Sequence, residues 1–354
     1  MLLTTLISFL LTCTTISALP TSHHNPHPTI PYLPSHLIAL EEHTASPPLE
    51  AELLNSSIAT STPQVIPLLL DRPSVRLAAM NAAHISLTVL SQSSGTGVNN
   101  ASACRAANMA LSALVANNTK RYACFAVLPM SNPTAAATEL RFAIRELKMR
   151  GAMIWNHLPN GTYFDSEAYT PFWAAAQELA APIYIHPVAP SPDIAKVLFA
   201  GNYAASTAGK LGTNSWGWHV DVGNHVLRLY AAGVFKRFPN LKIIIGHNGE
   251  GLAQFIDRVD STALGSEKAG ATFDSVWRTN VWVTTSAFFT VRQFQMLRQV
   301  MPLERIMFSV DYPFSTFLQG WEFVRELAEQ RVLSEREMDG FAFGNAVRLL
   351  GLEL

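Results

Sequence analysis

Along the chain, short apolar runs rich in β-branched residues alternate with longer stretches in which apolar residues recur every three or four positions. The short runs predict strands and the longer stretches predict helices, because one face recurs every second residue in a strand and about every fourth in a helix. Eight strands are expected, at Leu37–Leu40, Ile85–Leu90, Tyr122–Leu128, Ala152–Ile154, Ile183–Ile185, Ile243–Ile245, Val281–Thr284 and Ile306–Phe308. Helical windows fall at Val75–Ala83, Arg105–Ala116, Ala135–Met149, Glu167–Ala180 and Val226–Phe238. Further windows cover Gly251–Ala263, Val291–Val300, Leu318–Arg331 and Glu335–Leu350. This alternation over about 320 residues predicts an α/β fold, a (β/α)8 TIM barrel. The alternative is an open doubly wound sheet, but no G-x-G-x-x-G follows the first strand. Two connections are long enough to wall a site at the strand ends, Glu42 to about Pro63 and Pro187 to Trp218.

The amino end departs from this pattern. Residues 1–18 are apolar and uncharged and end in small residues before Pro20, which predicts a cleaved secretory signal. The stretch is short for a membrane span, and it lacks the usual Lys or Arg ahead of it. An uncleaved anchor or a misassigned start is the alternative. Residues 19–35, "LPTSHHNPHPTIPYLPS", mix proline with polar residues without periodicity, so they read as a linker or arm. His23, His24 and His27 there are expected in a solvated tail, with a loose metal site as the alternative. One barrel domain is then expected over residues 36–354. Sequons at Asn55, Asn100, Asn117 and Asn160 fit glycosylation on a secreted or secretory-pathway protein. The location is cytosolic if the apolar end is not a working signal. Cys104 and Cys124 form either one disulfide or two buried free thiols, and spacing does not choose between them.

With 49% hydrophobic and 14% charged residues among 354, the chain can bury a large core. A net charge of −1, a pI near 6.8 and no basic run give no footprint for nucleic acid or an anionic membrane surface. The expected partner is a small molecule.

The candidate chemistry sits at the ends of the predicted strands, which converge on one face of a barrel. The first strand ends in "ALEEH", where Glu41 and His43 point to the same side. The fifth ends in His186, the sixth in His247 with Glu250 three residues on, and the eighth in Asp311. Buried charge is costly unless paired or bound to metal. Carboxylates and imidazoles in this number suit one divalent ion, Zn²⁺ or Mn²⁺, with room for water or substrate.

"ALEEH", "GVFKRFPNLKIIIGHNGEGL", "IMFSVDYPF" and the terminal "GNAVRLLGL" resemble the amidohydrolase superfamily. The likeness is to its branch of metal-dependent, non-oxidative aromatic decarboxylases, including the γ-resorcylate and 2,3-dihydroxybenzoate decarboxylases, with aminocarboxymuconate semialdehyde decarboxylase more distant. It covers about Leu37 to Leu354. The resemblance implies that Glu41, His43, His186 and Asp311 hold one metal, that His247 and Glu250 form a hydrogen-bonded catalytic pair, and that Arg258 helps bind substrate. It also implies a homodimer or homotetramer.

The chain departs from the superfamily at three places. A metal-bridging lysine common after strand four is replaced by Trp155-Asn156-His157, which disfavours a two-metal hydrolase. An aromatic, proline-rich segment after "EEH" is replaced by "TASPPLEAELLNSS", and the usual Trp after the last Asp is Tyr312. The function so implied is non-oxidative decarboxylation of a hydroxylated aromatic acid such as a salicylate or dihydroxybenzoate, with Asp311 as proton donor to carbon. The alternative is a one-metal hydrolase of an amide, ester or lactone. Trp216, Trp218, Phe288, Phe289, Tyr312 and Phe314 are candidate pocket walls for a flat ring. His219, Asp221 and His225 read better as residues supporting the site than as a second metal cluster.

Overall fold

All eight expected strands form, in the expected order, in the computed structural model, which describes residues 30–71, 74–93 and 95–353. They are β1 (Ile38–Thr44), β2 (Leu87–Gln92), β3 (Tyr122–Cys124), β4 (Ala152–Trp155), β5 (Ile183–His186), β6 (Ile243–Ile245), β7 (Val281–Thr284) and β8 (Ile306–Met307). Every pairing is parallel, in the orders β1-β2-β3 and β4-β5-β6-β7-β8. The strands are buried on both faces, as expected for a parallel sheet covered by helices. The runs of β4, β6 and β8 are accordingly continuous apolar rather than alternating.

No ladder joins β3 to β4 or β8 to β1 among the described residues, but hydrogen bonds span both seams. Ala126 bridges to Ala152, with Ala126 N–H donating to Gly151 O and Met153 N–H to Ala126 O. At the other seam His43 N–H donates to Tyr312 O at 2.7 Å, and the Glu42 carboxylate accepts from the N–H groups of Val310 and Tyr312. The second Glu of "EEH" therefore ties β1 to the segment after β8. Burial pushes its carboxyl up to about 8, against the backbone donors of Tyr312 and Val310 and the charge of Arg76.

The principal helices are α1 (Ser74–Ala82), α2 (Ala101–Ala116), α3 (Pro133–Arg145), α4 (Thr170–Glu178), α5 (Gly217–Ala231), α6 (Phe273–Asn280), α7 (Val291–Val300) and α8 (Phe317–Glu329). Asn100, Asn132, Thr272, Thr290 and Thr316 cap five of them through side-chain oxygens, which accept otherwise unpaired N–H groups of the first turn.

Several expected boundaries move. β1 runs on through the charged "EEH" to Thr44, because each of those side chains finds a partner inside the barrel. The helix expected at Val226 begins at Gly217 instead, since His219 and His225 are buried on its inner face. The window at Gly251–Ala263 shortens to Ile256–Ser261 because Gly249, Glu250 and Gly251 have positive φ. The closing helix breaks into Glu335–Asp339, a π turn at Gly340–Gly344 and Asn345–Leu350, with Phe341 packed on Phe294 and Phe308. α6 was not expected, and the two long connections contain short helices, such as Pro192–Leu198 and Ala205–Gly212 in the second.

The expected signal at residues 1–18 lies outside the described residues, as does most of the arm. Residues 30–35 carry no strand or helix, and Tyr32 Oη donates to Asp339 at 2.8 Å. No helix among the described residues is long and apolar enough to cross a membrane. Cys104 and Cys124 are buried free thiols.

Candidate metal centre and active site

β1 carries a bulge between Ala39 and Glu42 in its register against β2. The N–H groups of Leu40 and Glu41 both donate to Ser309 Oγ, at 3.2 and 2.8 Å, so the irregularity leaves neither donor unpaired. Bulges re-aim side chains beside sites. Here the bulge sends Glu41 and His43 to the position that His186 of β5 and Asp311 after β8 also reach. One donor atom from each of these four buried residues lies within 4.8 Å of the others.

The remaining atoms of Glu41, His43 and His186 are already engaged. His186 Nδ1–H donates to Pro187 O at 2.6 Å, and His43 Nδ1 faces Gln92 O at 3.3 Å. Both Nε2 atoms are thereby turned inward with a free lone pair. Tyr184 Oη donates to Glu41 Oε2, and Tyr184 is held in turn by Thr284 Oγ1 at 2.7 Å. Glu41 Oε1 is left 3.1 Å from His186 Nε2, and His43 Nε2 is 3.3 Å from Asp311 Oδ1. Glu41 Oε1, His43 Nε2 and Asp311 Oδ1 are buried without any hydrogen-bond partner. Three orphaned donors converging on one point, two of them carboxylate oxygens, fit a divalent cation of the Zn²⁺ or Mn²⁺ kind. Burial alone would raise the Glu41 carboxyl, but the charge of His247 and the imidazoles of His186 and His43 hold it well below the usual carboxylate range.

The second half of the site is a left-handed turn. His247, Asn248, Gly249, Glu250 and Gly251 all have φ between 50° and 88°. A turn of three residues superposes the side chains of i and i+3, and His247 Nδ1–H accordingly donates to Glu250 Oε1 at 2.7 Å. Strain of this kind in non-glycine residues persists where the surroundings enforce it, and it concentrates at functional sites. Asp311, at φ 71°, shares it. Gly246, just before the turn, is required by close approach, since a Cβ there would stand 2.8 Å from Glu41 Oε2.

His247 Nε2 points back at the metal position, 3.8 Å from Asp311 Oδ2 and 3.9 Å from Glu41 Oε1. Burial would lower the His247 pKa, but the charges of Glu250 and Glu41, the neighbouring Asp311 carboxylate and the hydrogen bond to Glu250 carry it well above its ordinary value. Glu250 is held low in spite of its burial, by the charge of His247 and by hydrogen bonds from His219 and His247.

Of the expected wall aromatics, Phe288 meets His247 edge-on at 5.8 Å and Phe314 meets His43 at 5.7 Å. Trp218 bonds to His219. Two expectations are corrected. Tyr312 stacks on Phe317 at 4.6 Å beneath the Arg76 guanidinium, and Phe289 packs on Phe323, so both serve the core. Trp216 is 53% exposed. Arg258 is exposed on its short helix, and among the described residues its guanidinium makes no hydrogen bond or ion pair with the cluster.

Sequence reasoning missed three supporting residues. Tyr184 stands two positions before His186 in β5, so strand alternation already puts it on the same face as that ligand, whereas Ser309 lies past the end of β8 and no such rule reaches it. Trp155, which meets His186 edge-on at 5.7 Å, was visible only as a departure from a lysine.

Comparison with known proteins agrees with this geometry. Residues 72–352 match the family model described as Amidohydrolase. Decarboxylase orsB of Emericella nidulans is 41% identical over 329 residues, covering 90% of this chain and 98% of that protein. The gamma-resorcylate decarboxylase of a Polaromonas species is 30% identical over 334 residues, covering 89% of this chain and 98% of its own. A crystal structure of a dihydroxybenzoic acid decarboxylase from Polaromonas, with bound manganese and the inhibitor 2-nitroresorcinol, has a TM-score of 0.78 at 28% identity, over 89% of this chain and 97% of that one. By its matched residues, its barrel and its relatives, this chain belongs to the amidohydrolase family.

Proposed function

We propose that this chain is a metal-dependent, non-oxidative decarboxylase of a hydroxylated aromatic acid, of the salicylate or dihydroxybenzoate kind. The observation that carries the proposal is the joint geometry of four buried ligands, three of them with an orphaned donor atom, and a His–Glu pair aimed at one of them. The relatives point the same way, being decarboxylases by name, one with bound manganese.

A divalent ion held by Glu41, His43, His186 and Asp311 would supply Lewis-acid polarisation of the substrate carboxylate and its neighbouring hydroxyl oxygen. Phe288 and Phe314 pack edge-on against His247 and His43, and we assign them to hold a flat substrate ring beside the ligands. Asp311 turns Oδ1 to the ligand cluster and Oδ2 to His247, so Oδ2 is free to carry the reacting proton. That proton forms a C–H bond at the ring carbon bearing the carboxylate. The ring-to-carboxylate bond then breaks, its electron pair restores aromaticity, CO₂ leaves, and solvent returns the proton to Asp311. His247, oriented by Glu250, steers Asp311 or holds the phenolic proton. Arg258 remains in the reading as the cation for the substrate carboxylate, and an Arg258→Ala variant with unchanged KM would remove it.

The proposal extends to export. The apolar residues 1–18 and four sequons support it, and Asn55, Asn100, Asn117 and Asn160 are all exposed. Peptide mass mapping of protein secreted by a eukaryotic host would test both cleavage and glycan attachment. Sizing in solution would test the proposed homodimer or homotetramer.

The test of function is CO₂ release by the chain from Leu19 onward over a panel of hydroxybenzoates, before and after chelation and after return of Mn²⁺ or Zn²⁺. Release that is lost on chelation and restored by metal supports the proposal, and silence across the panel with metal bound sinks it.

A further inference from the structure

We propose that His219 is a positioning residue for His247, acting through Glu250. Its catalytic consequence rests on the decarboxylase reading, whereas its geometry stands apart from that reading. Glu250 is gripped from both sides. His247 Nδ1–H donates to its Oε1 at 2.7 Å and His219 Nδ1–H to its Oε2, also at 2.7 Å. A carboxylate accepts only, so both Nδ1 atoms carry their protons. A single hydrogen bond would leave the Glu250 carboxylate free to turn about its last torsion, which is broad. The bond from His219 removes that freedom and fixes the direction in which His247 presents Nε2 to Asp311.

A second metal is the rival reading, since donor atoms of His219, His247 and Glu250 also lie within 4.8 Å of one another. The two clusters differ in one respect. The first contains three orphaned buried atoms, whereas none of the orphaned atoms belongs to His219, His247 or Glu250. These three groups already satisfy one another, as a hydrogen-bonded relay does and an empty ligand set does not.

His219 also connects the relay to the long second connection. It stands in the first turn of α5, straight after that segment. Its Nε2 accepts from the Trp218 indole N–H at 3.2 Å and lies 3.1 Å from Asn214 O. Phe288 packs edge-on against both imidazoles, at 5.4 Å from His219 and 5.8 Å from His247. The segment from Asn214 to Trp218 thus sets His219, which sets Glu250 and then His247. Groups of this kind that orient a catalytic residue typically contribute about 10- to 100-fold in activity.

The test uses the metal-loaded protein with ¹⁵N-labelled histidine and three variants, His219→Ala, His219→Asn and His219→Gln. The Asn side-chain amide reaches the place of an imidazole Nδ1–H, and the Gln amide overshoots it. The readout is the hydrogen-bonded Nδ1–H resonance of His247, with kcat and KM alongside. We expect the His247 signal to stay in place in His219→Asn and to shift in His219→Ala and His219→Gln. We expect kcat to follow the same order, with KM little changed. Three variants with indistinguishable His247 signals, moved or unmoved, would overturn the proposal, because a space-filling role does not distinguish Asn from Gln in this way. A protein that gives the expected signals yet converts no hydroxybenzoate upholds the positioning and overturns the proposed function instead.

Discussion

His247 Nε2 lies 3.8 Å from Asp311 Oδ2 while its Nδ1–H is committed to Glu250 Oε1 at 2.7 Å. The ring is thus a fixed bridge between a buried carboxylate and the one ligand that has an oxygen to spare. Asp311→Asn keeps an oxygen for the ligand cluster but has no acidic proton to give. We expect this variant to retain metal, measured by elemental analysis, and to lose about 100- to 10,000-fold in kcat, the usual worth of a positioned general acid. Normal turnover with metal bound would remove Asp311 from the proton-donor role.

Tyr184 divides the work of the Glu41 carboxylate by donating to Oε2, which leaves Oε1 for the ligand cluster. Tyr184→Phe deletes only the hydroxyl. Metal affinity should fall by about 10- to 100-fold, read by competition with a chelating dye, while the fold persists because the ring stays buried in the barrel. Unchanged affinity would mean that Glu41 keeps its orientation without Tyr184.

His225 predicts an acid limit to stability that is separate from the metal ligands. It is fully buried, with Nδ1–H donating to Asn156 Oδ1 at 3.2 Å and Nε2 accepting from Phe164 N–H at 3.4 Å. Burial, with the charges of Arg228 and His157, pushes its pKa down from 6.5 to about 3. Between those values the unfolded chain binds a proton here that the folded chain refuses, so this contribution rises with pH across the window. It is complete above 6.5 and is lost as pH falls towards 3. His225→Asn keeps a donor for Asn156 but does not titrate. Its melting temperature should therefore fall less than that of the unsubstituted protein as pH drops through the window, and parallel curves would contradict the assignment.

How much of this was legible in the sequence follows from which interactions are local. All eight strands were legible, because a buried parallel strand announces itself as an apolar run with its chemistry at its end, whereas the choice of Glu41, His43, His186 and Asp311 as the ligand set came from the family resemblance. The His247–Glu250 pair was legible through the family resemblance, although the left-handed backbone that brings the two together was visible only as three nearby glycines. The bulge in β1 and its anchor Ser309 were not legible, since they depend on which strand lies beside which after the chain has returned 268 residues later. The same holds for Tyr312, whose ring looked like a pocket wall until Phe317 and Arg76 were found against its two sides. His219 was in view as a buried-site candidate, but its bond to Glu250 crosses 31 residues and no spacing rule reaches that far.

In the proposed reaction Asp311 hands a proton to a ring carbon before CO₂ departs. The most direct measurement is turnover of a salicylate-type acid in D₂O by the metal-loaded protein, with products read by mass spectrometry and NMR. The expected product is a phenol carrying one deuterium at the vacated carbon, formed in step with CO₂. Release of CO₂ with no deuterium at the vacated carbon, or no turnover of such acids with metal bound, would contradict the assignment.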